Sequence, residues 1–382
     1  MLSLISFLKK EKLFSLLFIS ILLLSLRNLF LNLQADEITY SKIATNILNG
    51  RYYQKNHPST VIPVMPFLMA LFNFSKAPYL GFALQKFFHI LLTILGFRFC
   101  YLTLSKLNLD KGIIYSILLM TSISTNFISF LPSLYPESIL FVSFWGFMYY
   151  LNQPKTVSNF KKFFLLFILL VFTRYLYAIL GLLVLMYYYS FFINSKKHFW
   201  KLLILSLTLT TPLFLWFKYV YHIESQNLSE ISYFNRFKTG EHPLLYNIKC
   251  GLGLEKHYEV SRVNGIPAFT SLFVPITGFR NFYLSLVLLL AVFFGLYQKV
   301  KNTIVFNFLI TFFLVMFGFV LAGTGFNRYW LVLLPIIYLG YFFIYDKYIH
   351  NPTIFIKIIQ IISVILILNE IRITSLILNK IL

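Results

Sequence analysis

Long apolar runs decide what this chain can become. They fall at about 13–33, 79–104, 112–131, 136–151, 163–193, 199–219, 281–298, 303–322, 329–346 and 354–371. A bilayer core about 30 Å thick takes roughly 20 apolar residues in helical form. Lipid offers no partner to open backbone groups, so a spanning segment is a helix or a closed barrel strand. Barrel strands alternate apolar and polar residues at period two, and these runs do not. With mean hydropathy +0.77 and 12% charged residues, a soluble domain is excluded. The expected fold is all-α: a polytopic transmembrane helical bundle of about eleven spans, residues 1–382 making one integral-membrane unit. The first run lacks a small-residue cleavage site and reads as a retained span.

A net charge of +21 would suggest nucleic acid in a soluble protein. Here the lysines cluster in short loops: Lys9, Lys10 and Lys12; Lys106 and Lys111; Lys161 and Lys162; Lys196 and Lys197; Lys299 and Lys301. Such clusters set orientation by the positive-inside rule. The N-terminus is therefore expected in the cytoplasm, and the partner is the lipid bilayer, with no nucleic acid. Residues 34–78, the 132–137 turn, the 222–280 region and the 323–328 turn are then external, on a plasma (inner) membrane protein. Arg372 and Lys380 run against that rule near the C-terminus. Cys100 and Cys250 offer neither metal spacing nor an evident disulfide. The 163–193 block has lysines at both flanks and Arg174 near its centre. One straight span would sink that arginine in lipid at a cost of several kcal/mol. A hairpin bending outward at Arg174 is expected instead. The stretch 61–74, with Pro63 and Pro66, is short and should dip into the interface.

Residues 34–78 form an acidic loop. Asp36 and Glu37 open an amphipathic helix with Tyr40, Ile43, Ala44, Ile47 and Leu48 on one face. Asp36 can cap it and Gly50 can end it. Beside a span, such a helix lies along the bilayer surface. Asp36 is the one aspartate expected outside; Glu137 and the glutamates of 222–280 join it. The facing cations are Arg51, Arg174, Lys218, Arg280 and Arg328. A carboxylate can take a proton from an acceptor hydroxyl, and a cation can hold a departing phosphate. A sugar carried on a lipid phosphate suits that pairing. Tyr329 and Trp330 head a span and belong at headgroup depth, which puts Arg328 level with a lipid phosphate. With no Gly-rich phosphate loop and no βαβ pattern, no nucleotide cofactor is expected. Plainer readings stand beside these. Asp36 only caps its helix; Glu37 is a solvated first-turn charge. Glu137 is a helix N-terminal charge with a basic neighbour. Arg174 and Arg328 snorkel to the interface.

The run DEITYSKIATNILNGRYYQKNHPSTVIPVMPFLMALF resembles the first external loop of C-type glycosyltransferases, the GT-C fold. It is most similar to the branch holding protein O-mannosyltransferases, lipid A aminoarabinose transferases and bacterial lipopolysaccharide glycosyltransferases. Asp36, Glu37, Tyr40, Ala44, Gly50, Tyr52, Tyr53, Pro58 and Pro63 match that pattern. Arg328-Tyr329 with the later Leu-Leu-Pro resembles the family's late arginine motif, and Tyr135-Pro136-Glu137 and Thr173-Arg174 look like its recurring features. The resemblance implies a polyprenyl-phosphate-linked sugar donor, an external active site and often a divalent metal. The acceptor would be a lipid, glycan or protein. No large C-terminal soluble domain is present, which favours the first two. Asp36 is then expected as general base, with Glu37 as support, metal ligand or alternative base. Arg328 is expected to bind phosphate, with Arg174 second. Tyr40, His57, Glu137 and Tyr329 are further candidates. The rival reading is a transporter or flippase of lipid-linked sugars. It would favour intramembrane charges and internal symmetry, and the sequence shows no repeat.

Overall fold

Each expected apolar run is helical in the computed structural model, which describes residues 11–52, 61–73, 77–194, 196–226, 242–257, 261–273 and 279–381. The chain begins with α1 (Lys12–Leu29), α2 (Asp36–Leu48), α3 (Val64–Leu71), α4 (Pro78–Leu104) and α5 (Lys111–Ser122). Then come α6 (Thr125–Phe130), α7 (Glu137–Leu151), α8 (Val157–Thr173), α9 (Gly181–Asn194) and α10 (Lys196–Gln226). The last are α11 (Pro243–Leu252), α12 (Phe282–Gln298), α13 (Thr303–Leu321), α14 (Leu334–Ile349) and α15 (Pro352–Ile381). Among the described residues the sheet content is one antiparallel pair, β1 (Lys256–His257) with β2 (Arg262–Val263). Polar residues in the turns start the helices. Asp110 accepts from Gly112 N, Thr156 from Asn159 N, Asn281 from Leu284 N, and Asn302 from Ile304 N, each satisfying a backbone donor that has no intrahelical partner.

Among the described residues, six helical stretches are long and apolar enough to cross a membrane: Lys12–Leu29, Pro78–Leu107, His198–Ile223, Thr303–Leu321, Asn327–Ile349 and Pro352–Ile377. The other five expected spans are helices of 12, 15, 17, 14 and 17 residues, short of that measure, and some runs are interrupted. The 112–131 run stops after Ser122 and restarts at Thr125. The break lets Thr125 Oγ1 reach Glu370 at 2.6 Å and Asn126 Nδ2 reach the Ser271 carbonyl at 3.1 Å. The 329–346 run begins as a 3-10 turn, Asn327–Leu333, before α14. The 163–193 block doubles back. Its helix stops at Thr173, Arg174 is extended, and a 3-10 turn over Tyr175–Leu180 leads into α9. Phe160 and Phe163 of α8 then meet Tyr187 of α9 at ring distances of 5.5 and 5.1 Å. In one straight helix those residues would be about 35–40 Å apart.

α7 is the centre of the bundle. Every residue from Glu137 to Met148 is buried, between α4 on one side and α8 on another. Trp145 Nε1 donates to the Val332 carbonyl at 3.1 Å, tying α7 to the 3-10 turn before α14. α12 pairs with α14 at a crossing where Gly295 faces Gly340; a side chain on Gly295 would strike the Gly340 carbonyl. Small residues at such a crossing let helix backbones approach in lipid. Outward, large aliphatics such as Leu185, Ile204, Phe294 and Ile361 are exposed, as expected of a surface solvated by lipid.

The two ends of the bundle differ chemically. At one end Lys111 pairs with Glu11 at 3.1 Å, Lys299 with Asp346 at 3.7 Å, and Lys106 donates to the Asn152 carbonyl at 2.6 Å. At the other end sit Arg174 and Arg328, with their carboxylate partners Glu137 and Asp36. One buried ion pair, unforeseen from sequence, links α1 to α15: Arg27 to Glu370 at 2.7 Å. Trp330 departs from expectation too. It is fully buried, donates its Nε1 to the Gly325 carbonyl, and packs against Phe269 and Phe319. It is a core residue, because the 3-10 turn faces it inward; Tyr329 too is buried.

Candidate functional site

α2 lies against α3 with Tyr40, Ile43 and Ala44 buried, as its apolar spacing requires. Gly50 ends the turn after it at φ +75. Asp36, however, makes no capping bond. Its Oδ2 accepts instead from Arg328 Nη2 at 2.6 Å. The helix start is tied down by Glu37: its Oε2 accepts from Gln34 N at 2.8 Å, as in a capping box, and its Oε1 from Leu134 N at 2.7 Å. Both oxygens of this buried carboxylate are thus spent on backbone donors. Glu37 is buried and not a solvated charge, and as placed it clamps α2 to the 132–137 turn. Ala35, just before Asp36, is held at φ +45, a costly conformation for a residue with a Cβ.

A second ion pair lies beside the first. Arg174 Nη2 donates to Glu137 Oε1 at 2.6 Å, and Arg328 Nε is 3.7 Å from the same oxygen. One carboxylate at the start of α7 therefore serves both arginines. The Arg174 guanidinium lies over the Tyr329 ring at 3.8 Å. The Arg328 guanidinium is flanked by Tyr135 at 4.9 Å, Tyr329 at 5.5 Å and Phe326 at 5.8 Å. Aromatic faces favour a cation and leave the planar fork free to turn. Two carboxylates and two guanidinium groups make the cluster neutral.

Burial sorts the four. Arg174 and Glu137 are 11% and 1% exposed, Arg328 15%, and Asp36 43%. Asp36 is thus the member of the cluster open to the surroundings; Arg328, Arg174 and Glu137 are largely buried behind it. Glu137 Oε2, Arg174 Nε and the Tyr177 hydroxyl are buried without a hydrogen-bond partner. Tyr40 stands among all four charges; burial raises its phenol pKa, with Arg174 and Arg328 pulling the other way. Tyr135 is pushed up to about 12, again by burial first. Both phenols stay protonated at neutral pH. The structure thus gathers Asp36, Tyr40, Glu137, Arg174, Arg328 and Tyr329, and sets Glu37 aside as the clamp. His57 lies outside the described residues, as do Tyr53 and Pro58.

Supporting residues escaped the sequence reading. Asn327 Oδ1 accepts from Arg328 N at 2.9 Å, while its Nδ2 donates to Asn126 Oδ1 at 3.0 Å. Lys86 donates to the carbonyls of Asn28 and Leu31 at 2.8 and 2.6 Å, closing the end of α1 ahead of the acidic loop. A lysine inside an apolar run was the available signal for the second. His257 packs on Phe326 at 5.6 Å, so the 222–280 region reaches the site's edge.

A divalent cation does not fit this donor set. Among the described residues no three His, Cys, Asp or Glu side chains come together. The two carboxylates at hand already face guanidinium groups, which repel a metal ion. No family model, curated protein or solved structure matches the chain.

Proposed function

We propose that the protein is an integral-membrane glycosyltransferase of GT-C type. It would move a monosaccharide from a polyprenyl-phosphate donor to a lipid, glycan or protein acceptor on the external face. The observation that carries this reading is the 2.6 Å contact between Asp36 and Arg328. It joins a half-exposed carboxylate from the first loop to an arginine from the start of a late span. A base and a phosphate ligand are the two parts that displacement at an anomeric carbon needs. Asp36 takes the acceptor proton. The acceptor oxygen bonds to the anomeric carbon as the bond from that carbon to the phosphate oxygen breaks, inverting configuration. The phosphate leaves with the bonding electrons and gains a charge beside Arg328, while Asp36 loses one. Glu137 and Arg174 hold Arg328 and Tyr329 in place.

The test is transfer by purified protein with a panel of polyprenyl-phosphate sugars. Asp36→Asn keeps the shape of the side chain and removes the proton acceptor. It should elute as the native protein does and lose about 10²–10⁴-fold in turnover. Near-native turnover would remove Asp36 as base. A flippase of lipid-linked sugars is the second reading, favoured by the buried Arg27–Glu370 pair, since ionisable pairs between spans often mark transport paths. Transbilayer movement of donor without transfer would select it.

A further inference from the structure

Resting on the glycosyl-transfer reading, we propose that Asp36 and Arg328 mask one another, and that the donor phosphate unmasks both, so that donor binds before acceptor can be activated. The geometry is direct. Arg328 Nη2 is spent on Asp36 Oδ2 at 2.6 Å. A phosphate that takes a two-pronged grip through Nη2 must displace that carboxylate. The same contact occupies Asp36 Oδ2, the oxygen turned toward the arginine. The facing atoms of base and phosphate ligand are therefore occupied by one another until a third group divides them.

The surroundings make Arg328, rather than Arg174, the one that exchanges. Arg174 is locked between the buried Glu137 and the Tyr329 ring. Arg328 has aromatic rings on its flanks and a longer 3.7 Å contact to Glu137, which hold its position while the Asp36 bond opens. Its partner is 43% exposed, and a half-solvated pair is held weakly. The donor is a phosphodiester with one negative charge. It replaces the single charge of Asp36 on Arg328, and no proton moves in that step. The Nη2–H bond to Asp36 breaks, a bond from the same group to a phosphate oxygen forms, and Asp36 is released toward the acceptor. An acceptor arriving first meets Asp36 with its Oδ2 still held by Arg328.

The experiment is equilibrium binding of polyprenyl phosphate to the full chain in nanodiscs. It compares wild type, Asp36→Asn, Asp36→Ala and Arg328→Gln. Removing the competing carboxylate should tighten binding about three- to tenfold in both Asp36 variants, the range expected of a partly exposed charge-assisted pair. Arg328→Gln should lose it. Unchanged or weaker binding in both Asp36 variants, with Arg328→Gln still losing it, overturns the exchange and leaves Arg328 as phosphate ligand. Binding that Arg328→Gln does not weaken overturns the exchange and the phosphate assignment together.

Discussion

The Glu137–Arg174 pair allows a test of the site that needs no substrate. The two side chains meet at 2.6 Å, are 1% and 11% exposed, and share Glu137 Oε1 with Arg328. Screening by solvent is small at such burial. Removing one partner leaves a charge that cannot be solvated, at about 3–5 kcal/mol. Arg174→Met leaves Glu137, whose Oε2 already lacks a partner, with only the longer 3.7 Å contact to Arg328. Glu137→Leu strands Arg174 and leaves Arg328 with Asp36 alone. Replacing both removes the buried pair and its desolvation cost, so the double variant should be close to wild type in stability. With each single variant costing that much and the double near zero, a double-mutant cycle should give a coupling of up to about 6–10 kcal/mol. The assay is unfolding in mixed micelles, read by SDS titration, on all four proteins. Turnover adds a second axis: the double variant should be folded and inactive, because Arg328 and Tyr329 lose the groups that position them. Additive effects, with coupling under about 0.5 kcal/mol, would refute the claim that these residues act as one buried unit.

The other expectations concern neighbouring groups. Arg328→Lys keeps the charge and loses the planar fork, so insertion should be normal and transfer should fall about 10²-fold; unaltered turnover would make Arg328 an interfacial anchor. Glu37→Gln leaves one acceptor oxygen for the Gln34 and Leu134 amides, so thermal stability should drop by about 1–3 kcal/mol while transfer per folded molecule persists. Loss of transfer in a fully stable protein would restore Glu37 to the chemistry. Sidedness follows from cysteine labelling after replacing Cys100 and Cys250, both buried. Leu254→Cys, at a position 72% exposed, should react with an impermeant reagent added outside. Lys301→Cys, also exposed, should react only once the membrane is opened. The reverse pattern would put the arginine end in the cytoplasm.

Local pattern determined much of this protein. Apolar runs became helices because lipid leaves the backbone no other partner. The period of Tyr40, Ile43 and Ala44 set the buried face of α2, since 3.6-residue spacing needs no knowledge of the rest of the chain. Arg174 marked its own bend, because a lone guanidinium in lipid costs too much for a straight span. The choice of partner was a different matter. Asp36 and Glu37 are adjacent and chemically alike, yet one is half-exposed on Arg328 and the other is buried on two backbone amides. Tyr329 and Trp330 look like one interfacial pair, yet the first supports a guanidinium and the second fills the core. In each case successive side chains are rotated by about 100–120° around a helical turn and so face different neighbours. Which side meets protein depends on where α7, α13 and the 132–137 turn come to rest. Ion pairs act over a few ångströms, so only the tertiary structure could decide that Glu137 serves two arginines and Asp36 one.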